Sequence, residues 1–353
     1  MKLDPRLIID FKDTIIHALK RMDEVGRKML LIFKDDTFFS ILTIGDLQRA
    51  IIANKDLKSS VGGVVDKSTK IYCKPSDTID EIKSKMQEIR AEMMPIVDDI
   101  GNLVNIYFWG DFFPEEQRDF VRFKLNLPVV IMAGGFGTRL KPLTNVFPKP
   151  LIPIGEKTIL EVILDQFEKV GCEKFYLSVN YKDEMIRYYM SNLKHKYDIL
   201  YFKEDKPLGT IGSVRLIKEH LKSAFFVSNC DILIDQDYRD IYEYHKNNNN
   251  DITLVTSVKS FTIPYGVIES GRNGLLETLT EKPEYEYMIN TGVYLLNPEV
   301  INLIPEGRQY HITHLIDRVK NEGGRIGCFP LSENAWIDMG NWEDYNKIIR
   351  RNG

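Results

Sequence analysis

Gly134, Gly135 and Gly137, followed by Arg139 and by Lys149 between Pro148 and Pro150, are the residues of this chain best suited to chemistry on phosphates. They follow an apolar stretch, Pro128–Ala133, that reads as a strand. Glycines in a turn let backbone N–H groups approach phosphate oxygens with no Cβ in the way. Arg139 offers several donors in a fixed plane and stays charged. Lys149 adds a second cation, on a loop stiffened by its two prolines. Such a loop suits a nucleoside triphosphate. Two familiar glycine loops are excluded: Leu140 stands where the dinucleotide fingerprint needs its third glycine, and Gly-Lys-Ser/Thr is absent.

The string G-G-x-G-T-R-L-x-P-L-T…P-K-P resembles the signature of the nucleoside-diphosphate-sugar pyrophosphorylases, the sugar-1-phosphate nucleotidylyltransferases. The resemblance implies attack by a sugar-1-phosphate oxygen on the α-phosphorus of a nucleoside triphosphate, expelling pyrophosphate. Two polyanions must meet, so catalysis is mostly charge neutralisation and in-line positioning. Arg139 would hold the triphosphate and Lys149 the α-phosphate and incoming sugar phosphate. Ala133, Gly134, Gly135, Gly137 and Thr138 would form the nucleotide loop. The resemblance also assigns Asp231, in Asn229-Cys230-Asp231, and Asp338, in Trp336-Ile337-Asp338-Met339-Gly340, as ligands of Mg²⁺. Glu281-Lys282-Pro283, Asn290-Thr291-Gly292 and Tyr265-Gly266-Val267 match its sugar-phosphate segments, with Gly266, Glu281, Lys282, Asn290 and Thr291 as the contacting residues.

The base is read from Glu204–Thr210, which resembles the family's E-x-P-x-G-T loop with one extra residue. A carboxylate at Glu204 can accept from guanine N1–H and N2–H₂ together, whereas uracil and thymine offer one such donor. GTP is therefore favoured, with Gly209 and Thr210 beside the base; CTP, UTP and dTTP with another hexose or heptose phosphate remain alternatives. So does a silent, nucleotide-sensing scaffold subunit, although such subunits tend to lose the charged residues kept here. His311-x-x-His314 reads as a helix-face pair without a third ligand.

The elements that must position these residues fall into two segments. Residues 1–120 read twice as helix, strand, turn, strand and helix start: Thr14–Met22, Lys28–Phe33, Phe38–Leu42 and Thr43–Asp46, then Ile79–Ile89, Met94–Val97, Leu103–Tyr107 and Phe108–Asp111. This repeat resembles a tandem pair of cystathionine-β-synthase-type (CBS) domains. In those domains a Ser/Thr-x-x-Asp binds the ribose of an adenine nucleotide. Thr43 and Asp46 match it, and Phe108 replaces the hydroxyl in the second half. The pair would bind a regulatory nucleotide or serve to dimerise the chain. Residues 121–126 are a linker, overlapping the end of the charged stretch Pro114–Lys124. Residues 127–353 alternate strands and helices, an α/β Rossmann-like nucleotidyltransferase domain with a mostly parallel mixed sheet. Helices are expected at Ile159–Val170, Asp183–Met190 and Ile211–Leu221, and a surface loop at Asn247–Asn250. No appended β-helix is expected. A CBS pair ahead of a short nucleotidylyltransferase resembles guanylyltransferases acting on glucosamine-1-phosphate in bacterial glycan synthesis.

Composition narrows the partners. Net charge is −4 with both signs mixed, which excludes a basic field for nucleic acid. Scattered Cys73, Cys172, Cys230 and Cys328 fit a reduced, cytoplasmic setting. No apolar run approaches the ~18 residues of a membrane span, and no signal-peptide core is visible at the N-terminus. A homo-oligomer is expected.

Overall fold

The computed structural model describes residues 4–65, 71–89, 91–113, 123–193 and 197–346. The chain divides into two compact units, Met1–Arg122 and Phe123–Gly353. No helix among the described residues is long and apolar enough to cross a membrane.

The first unit repeats one motif. In the first half, β1 (Ile8–Asp10) precedes α1 (Ile15–Val25), β2 (Met29–Lys34), β3 (Thr37–Thr43) and α2 (Ile44–Ile52). In the second, α3 (Ile79–Ile89) precedes β4 (Met93–Val97), β5 (Leu103–Phe108) and α4 (Trp109–Phe112). α1 forms because Ile15, Ala18, Leu19 and Met22 recur at helical spacing and are buried. Thr14 caps its start and Gly26 ends it at φ +61°. β1 lies parallel to β2, with Ile8 opposite Leu31. Cys73 repeats that pairing by a parallel bridge to Ile96. The repeat expected from periodicity is therefore present in the backbone pairing.

The second unit is built on a seven-stranded sheet. Its strands are β6 (Val129–Met132), β9 (Lys174–Val179), β10 (Asp198–Lys203), β11 (Phe225–Asn229), β13 (Ile252–Thr262), β16 (Glu284–Leu296) and β17 (Ile326–Leu331), in the order β10-β9-β6-β11-β16-β13-β17. β16 runs antiparallel to both its neighbours, and the remaining pairs are parallel. Both faces are covered, which the alternation of side chains records. Val129, Ile131, Phe226, Val293 and Leu295 enter one core with α6 (Ile159–Glu168), α7 (Asp183–Asn192) and α8 (Tyr238–Asn247). Val130, Phe225, Val227, Tyr294 and Leu296 enter another with α9 (Ile312–Asn321). Smaller pieces carry the loops: α5 (Leu143–Val146), the hairpin β7 (Pro153–Ile154) and β8 (Lys157–Thr158), the hairpin β14 (Val267–Ser270) and β15 (Leu276–Thr280), and the pair β12 (Ile232–Ile234) and β18 (Trp336–Asp338).

Three expectations are corrected. The helix expected at Ile211–Leu221 is a run of 3₁₀ turns over Gly212–His220, broken at Ile217. The N–H groups of Ile211 and Gly212 both donate to the Tyr310 carbonyl, which fixes the entry to the run, and Ile217, at φ −112° and ψ 17°, breaks helical geometry inside it. The linker at 121–126 is not free at its end. Leu125 and Leu127 are buried, and the N–H groups of Leu125 and Asn126 donate to Val170 and Gly171. Residues 114–122 of the charged stretch lie outside the described residues. Asn247 closes α8 rather than opening a loop, and Asn250 is buried, its amide donating to Thr253.

Candidate active site

The glycine loop leaves β6 at the carboxyl edge of the parallel strands, the side on which such sheets bind ligands. Ala133 is still held to β9 through its N–H and the Ser178 carbonyl (2.8 Å). The three glycines then serve different needs. A Cβ at Gly134 would stand 3.3 Å from Asn180 and 3.7 Å from Glu204 Oε1. Gly137 has φ +64°, and a Cβ there would meet Thr144 at 2.7 Å and Lys149 at 3.2 Å. Gly135 faces open space. Thr138 opens the 3₁₀ turn that carries Arg139.

Arg139 and Lys149 converge on the two acids singled out in the sequence. β12 pairs with β18, Ile232 opposite Asp338, so Asp231 and Asp338 meet from distant parts of the chain. Lys149 is buried and its ammonium donates to Asp231 Oδ2. Arg139 remains exposed, 3.8 Å from Asp231 and 3.4 Å from Asp338. Gly340 closes the group. Its N–H donates to Asp338 (2.7 Å). A Cβ there would collide with Asp231 Oδ2 and stand 2.7 Å from Asp338 Oδ1 and 2.8 Å from Arg139 Nη2. Burial, then the charge of Asp231, raises the Asp338 carboxyl above the usual range, although Gly340, Arg139 and Lys149 oppose the shift. Burial pushes the intervening Cys230 thiol up to about 12, so it is no nucleophile.

A family model for nucleotidyl transferases matches residues 128–352, most of the second unit. The chain belongs to the nucleotidyl transferase family. Among its relatives is the mannose-1-phosphate guanyltransferase of Pichia angusta, 34% identical over 226 residues, which are 61% of each chain. The chain thus spans about three fifths of the length of that curated relative. Among solved structures, HddC from Yersinia pseudotuberculosis is 27% identical with a TM-score of 0.51, covering 64% of this chain and 99% of that one. Its complex with GMP-PN matches at 26% identity and a TM-score of 0.50, with the same coverage.

Within this nucleotidyl transferase unit, Glu204 lies inward beside the glycine loop. Its Oε1 accepts from Ser178 (2.5 Å) and its Oε2 from the Leu208 N–H (2.9 Å). Ser178 also bonds Ser213 (3.1 Å), and Asn180 holds the Glu204 carbonyl (2.9 Å). Gly209 and Thr210 do different work from that expected of them. Gly209 has φ +81°, and a Cβ would stand 2.6 Å from the Tyr310 carbonyl, so the glycine admits a neighbouring backbone rather than a base. Thr210 Oγ accepts the Ile312 N–H (2.9 Å), which caps the start of α9.

The sugar-phosphate residues divide. Gly266 and Glu281 meet at the base of β14–β15, where a Cβ on Gly266 would stand 3.0 Å from Glu281 Oε2. Lys282, at φ +46°, donates its N–H to the Tyr265 carbonyl (3.2 Å). Glu281 and Lys282 are exposed, as is Asn290, whose amide donates to Tyr294 Oη (2.7 Å). Thr291 is corrected: it is buried, its hydroxyl donates to Val255 (2.8 Å), and its carbonyl accepts the Trp336 indole (3.2 Å). Its hydroxyl and carbonyl tie neighbouring segments together. In the first unit, Thr43 and Asp46 form a capping box on α2, and Arg49 bonds the same carboxylate at 2.5 Å. Asp111 repeats the cap onto the Phe108 N–H (2.7 Å) without a hydroxyl partner. A ribose at Thr43 and Asp46 would share these groups with the cap and with Arg49. His314 lies in the first turn of α9 and its Nδ1 accepts the His311 N–H (3.4 Å), so the pair sits at the start of that helix.

Gly340, Ser178 and Asn180 are site residues that sequence reasoning did not assign. Gly340 follows the acid of a quoted motif, and Ser178 is a polar residue within an apolar strand; both carried a signal. The two carboxylates suit a hard divalent cation, whose charge would offset the burial and the Asp231 charge that raise Asp338. No group of three or more His, Cys, Asp or Glu side chains able to hold a metal occurs among the described residues. Phosphate oxygens and water would complete the coordination.

Proposed function

We propose that the second unit catalyses guanylyl transfer from GTP to a hexose 1-phosphate. A phosphate oxygen of the sugar forms a new bond to the α-phosphorus, the bond to the β-phosphate oxygen breaks, and pyrophosphate leaves with that electron pair. The observation that carries this reading is the convergence of Arg139, Lys149, Asp231 and Asp338 beside the glycine loop. Arg139, exposed beside its two acidic partners, takes the triphosphate and then the pyrophosphate. Lys149, buried and therefore fixed, orients the α-phosphate toward the sugar phosphate. Mg²⁺ at Asp231 and Asp338 would polarise the α-phosphate. A silent scaffold would have no use for this convergence of charges.

Glu204 supports guanine. An ionised carboxylate has about four acceptor positions; one on each oxygen is taken by the protein, so one on each is left for N1–H and N2–H₂. The sugar is glucosamine 1-phosphate by the resemblance in domain order, or mannose 1-phosphate by the relative's name. The first unit is a CBS pair that binds an adenine nucleotide at Thr43 and Asp46 or serves dimerisation, and free, mostly buried cysteines fit a reducing cytoplasm. Pyrophosphate release with Mg²⁺ decides the reading, with five nucleoside triphosphates crossed against glucosamine-, N-acetylglucosamine-, glucose- and mannose-1-phosphate. Turnover with GTP is expected. Turnover with UTP or dTTP alone would overturn the base assignment, and silence across the panel would overturn the activity.

A further inference from the structure

Ser178 and Ser213 are hydroxyls sealed in the interior, both 0% exposed. On β9, Leu177 and Val179 enter one core while Tyr176 enters the other. Alternation therefore turns Ser178 to the side of Tyr176, where Ile211, Val214 and Ile217 also pack. Ser213 reaches the same place from the 3₁₀ run. Hydroxyls taken out of water among aliphatic side chains are costly unless bonded. Here they bond each other and Glu204, itself only 6% exposed. The Glu204 charge is met by neutral donors, Ser178 on Oε1 and the Leu208 N–H on Oε2, and it has no ion pair among the described residues. The protons of this chain of groups run one way. An ionised carboxylate only accepts, and a serine hydroxyl has a single proton. Ser178 therefore donates to Glu204 Oε1 (2.5 Å) and accepts from the Ser213 hydroxyl (3.1 Å). The backbone beneath is fixed as well: the Glu204 N–H donates to the Val179 carbonyl (3.2 Å), and the Glu204 carbonyl accepts from the Asn180 amide (2.9 Å).

We infer, resting on the guanine reading above, that Ser178 backed by Ser213 is the positioning residue on which base selectivity depends. It fixes the Glu204 carboxylate so that the free position on each oxygen meets N1–H and the 2-amino group of guanine as a pair. Two serines suit this task better than a cation. A lysine or arginine here would neutralise Glu204 and weaken its hold on a base; neutral donors orient the carboxylate and leave its charge to the ligand. The fixed pair of acceptors also defines what the site rejects. Hypoxanthine keeps N1–H but lacks the 2-amino group, so one oxygen of a buried carboxylate is left short of a donor. Adenine turns an acceptor at N1 toward the carboxylate.

GTP against ITP tests it, as the ratio of kcat/KM for pyrophosphate release by the full chain, in wild type, Ser178→Ala, Ser178→Thr and Ser213→Ala. Wild type is expected to favour GTP by about tenfold or more, the worth of one hydrogen bond to a charged group. Ser178→Ala should bring the two triphosphates close to parity, through a higher KM for GTP with a smaller change in kcat. Ser178→Thr keeps the hydroxyl and should keep the preference. Ser213→Ala should shift the ratio in the same direction by less. A thermal melt of each variant shows whether it folds; if Ser178→Ala does not, Ser213→Ala carries the test, and an unchanged ratio there overturns the inference. A wild-type ratio retained in folded Ser178→Ala overturns it while the guanine reading stands. A ratio lost equally in Ser178→Thr overturns it too, because the hydroxyl is then not the cause. Wild type that does not prefer GTP to ITP overturns the guanine reading itself, and this inference with it.

Discussion

Arg139 reaches two carboxylates from an exposed position, so Arg139→Ala removes a charge without opening a cavity. Its kcat/KM should fall by roughly 2–4 kcal/mol of transition-state stabilisation, the loss expected for one preorganised donor. The melting temperature should stay where it is; steady-state kinetics beside a thermal melt check both. Gly340→Ala acts on the same cluster by crowding. The added methyl meets side-chain ends of Asp231, Asp338 and Arg139, which can move apart. Activity should drop at least as far as in Arg139→Ala, while stability changes by less than about 1–3 kcal/mol, the usual range for overpacking a fixed core. Unchanged turnover in Gly340→Ala would show that the convergence is not needed for catalysis. The acids and cations were legible as motifs. Their meeting was not, because it depends on β12 pairing with β18, and nothing in either short strand announces its partner.

At the scale of elements, glycines of the two loops separate packing from binding. Gly135 faces open space, so Gly135→Ala should leave stability unchanged and weaken nucleotide binding. Gly209→Ala should do the reverse at first order. It forces an alanine to φ +81° and sets a methyl against the Tyr310 carbonyl, so a loss of about 1–3 kcal/mol or more is expected from strain alone. Urea denaturation and nucleotide titration on both variants distinguish the two effects, and equal stability of the pair would refute the packing role of Gly209. The same contrast explains what periodicity could and could not find. Reading apolar runs between turn residues showed the α/β order of the large sheet, whose strands are buried on both faces. It misread Gly212–His220, whose apolar spacing is helical while Ile217 breaks the run at φ −112° and ψ 17°. The hydroxyl partners of Thr210 and Thr291 lie across the fold, where no local pattern records them.

At the scale of the whole molecule, acid stability should carry the mark of one buried histidine. His245 sits on α8 with both ring nitrogens engaged. Asn297 donates its amide to the Asn250 carbonyl, so its oxygen faces His245 Nε2 (3.1 Å), and Nε2 carries the proton. Asn250 donates to Thr253 Oγ, which leaves the Thr253 hydroxyl to donate to Nδ1 (2.9 Å). The neutral ring therefore fits a complete network that joins α8, β13 and the end of β16. Burial holds its pKa below the ordinary histidine value, against the raising pull of the Asn297 bond and of Asp251. The unfolded chain then binds a proton at higher pH than the folded one. Stability from this site is complete above about pH 6.5 and is lost as pH falls through the folded pKa below it. Melting temperature should accordingly begin to fall below about pH 6.5, before the ordinary carboxylates titrate near pH 4. His245→Gln, which cannot take up the proton, should be less stable at neutral pH but flat across that window. An equal slope in wild type and His245→Gln would place the acid response elsewhere in the molecule.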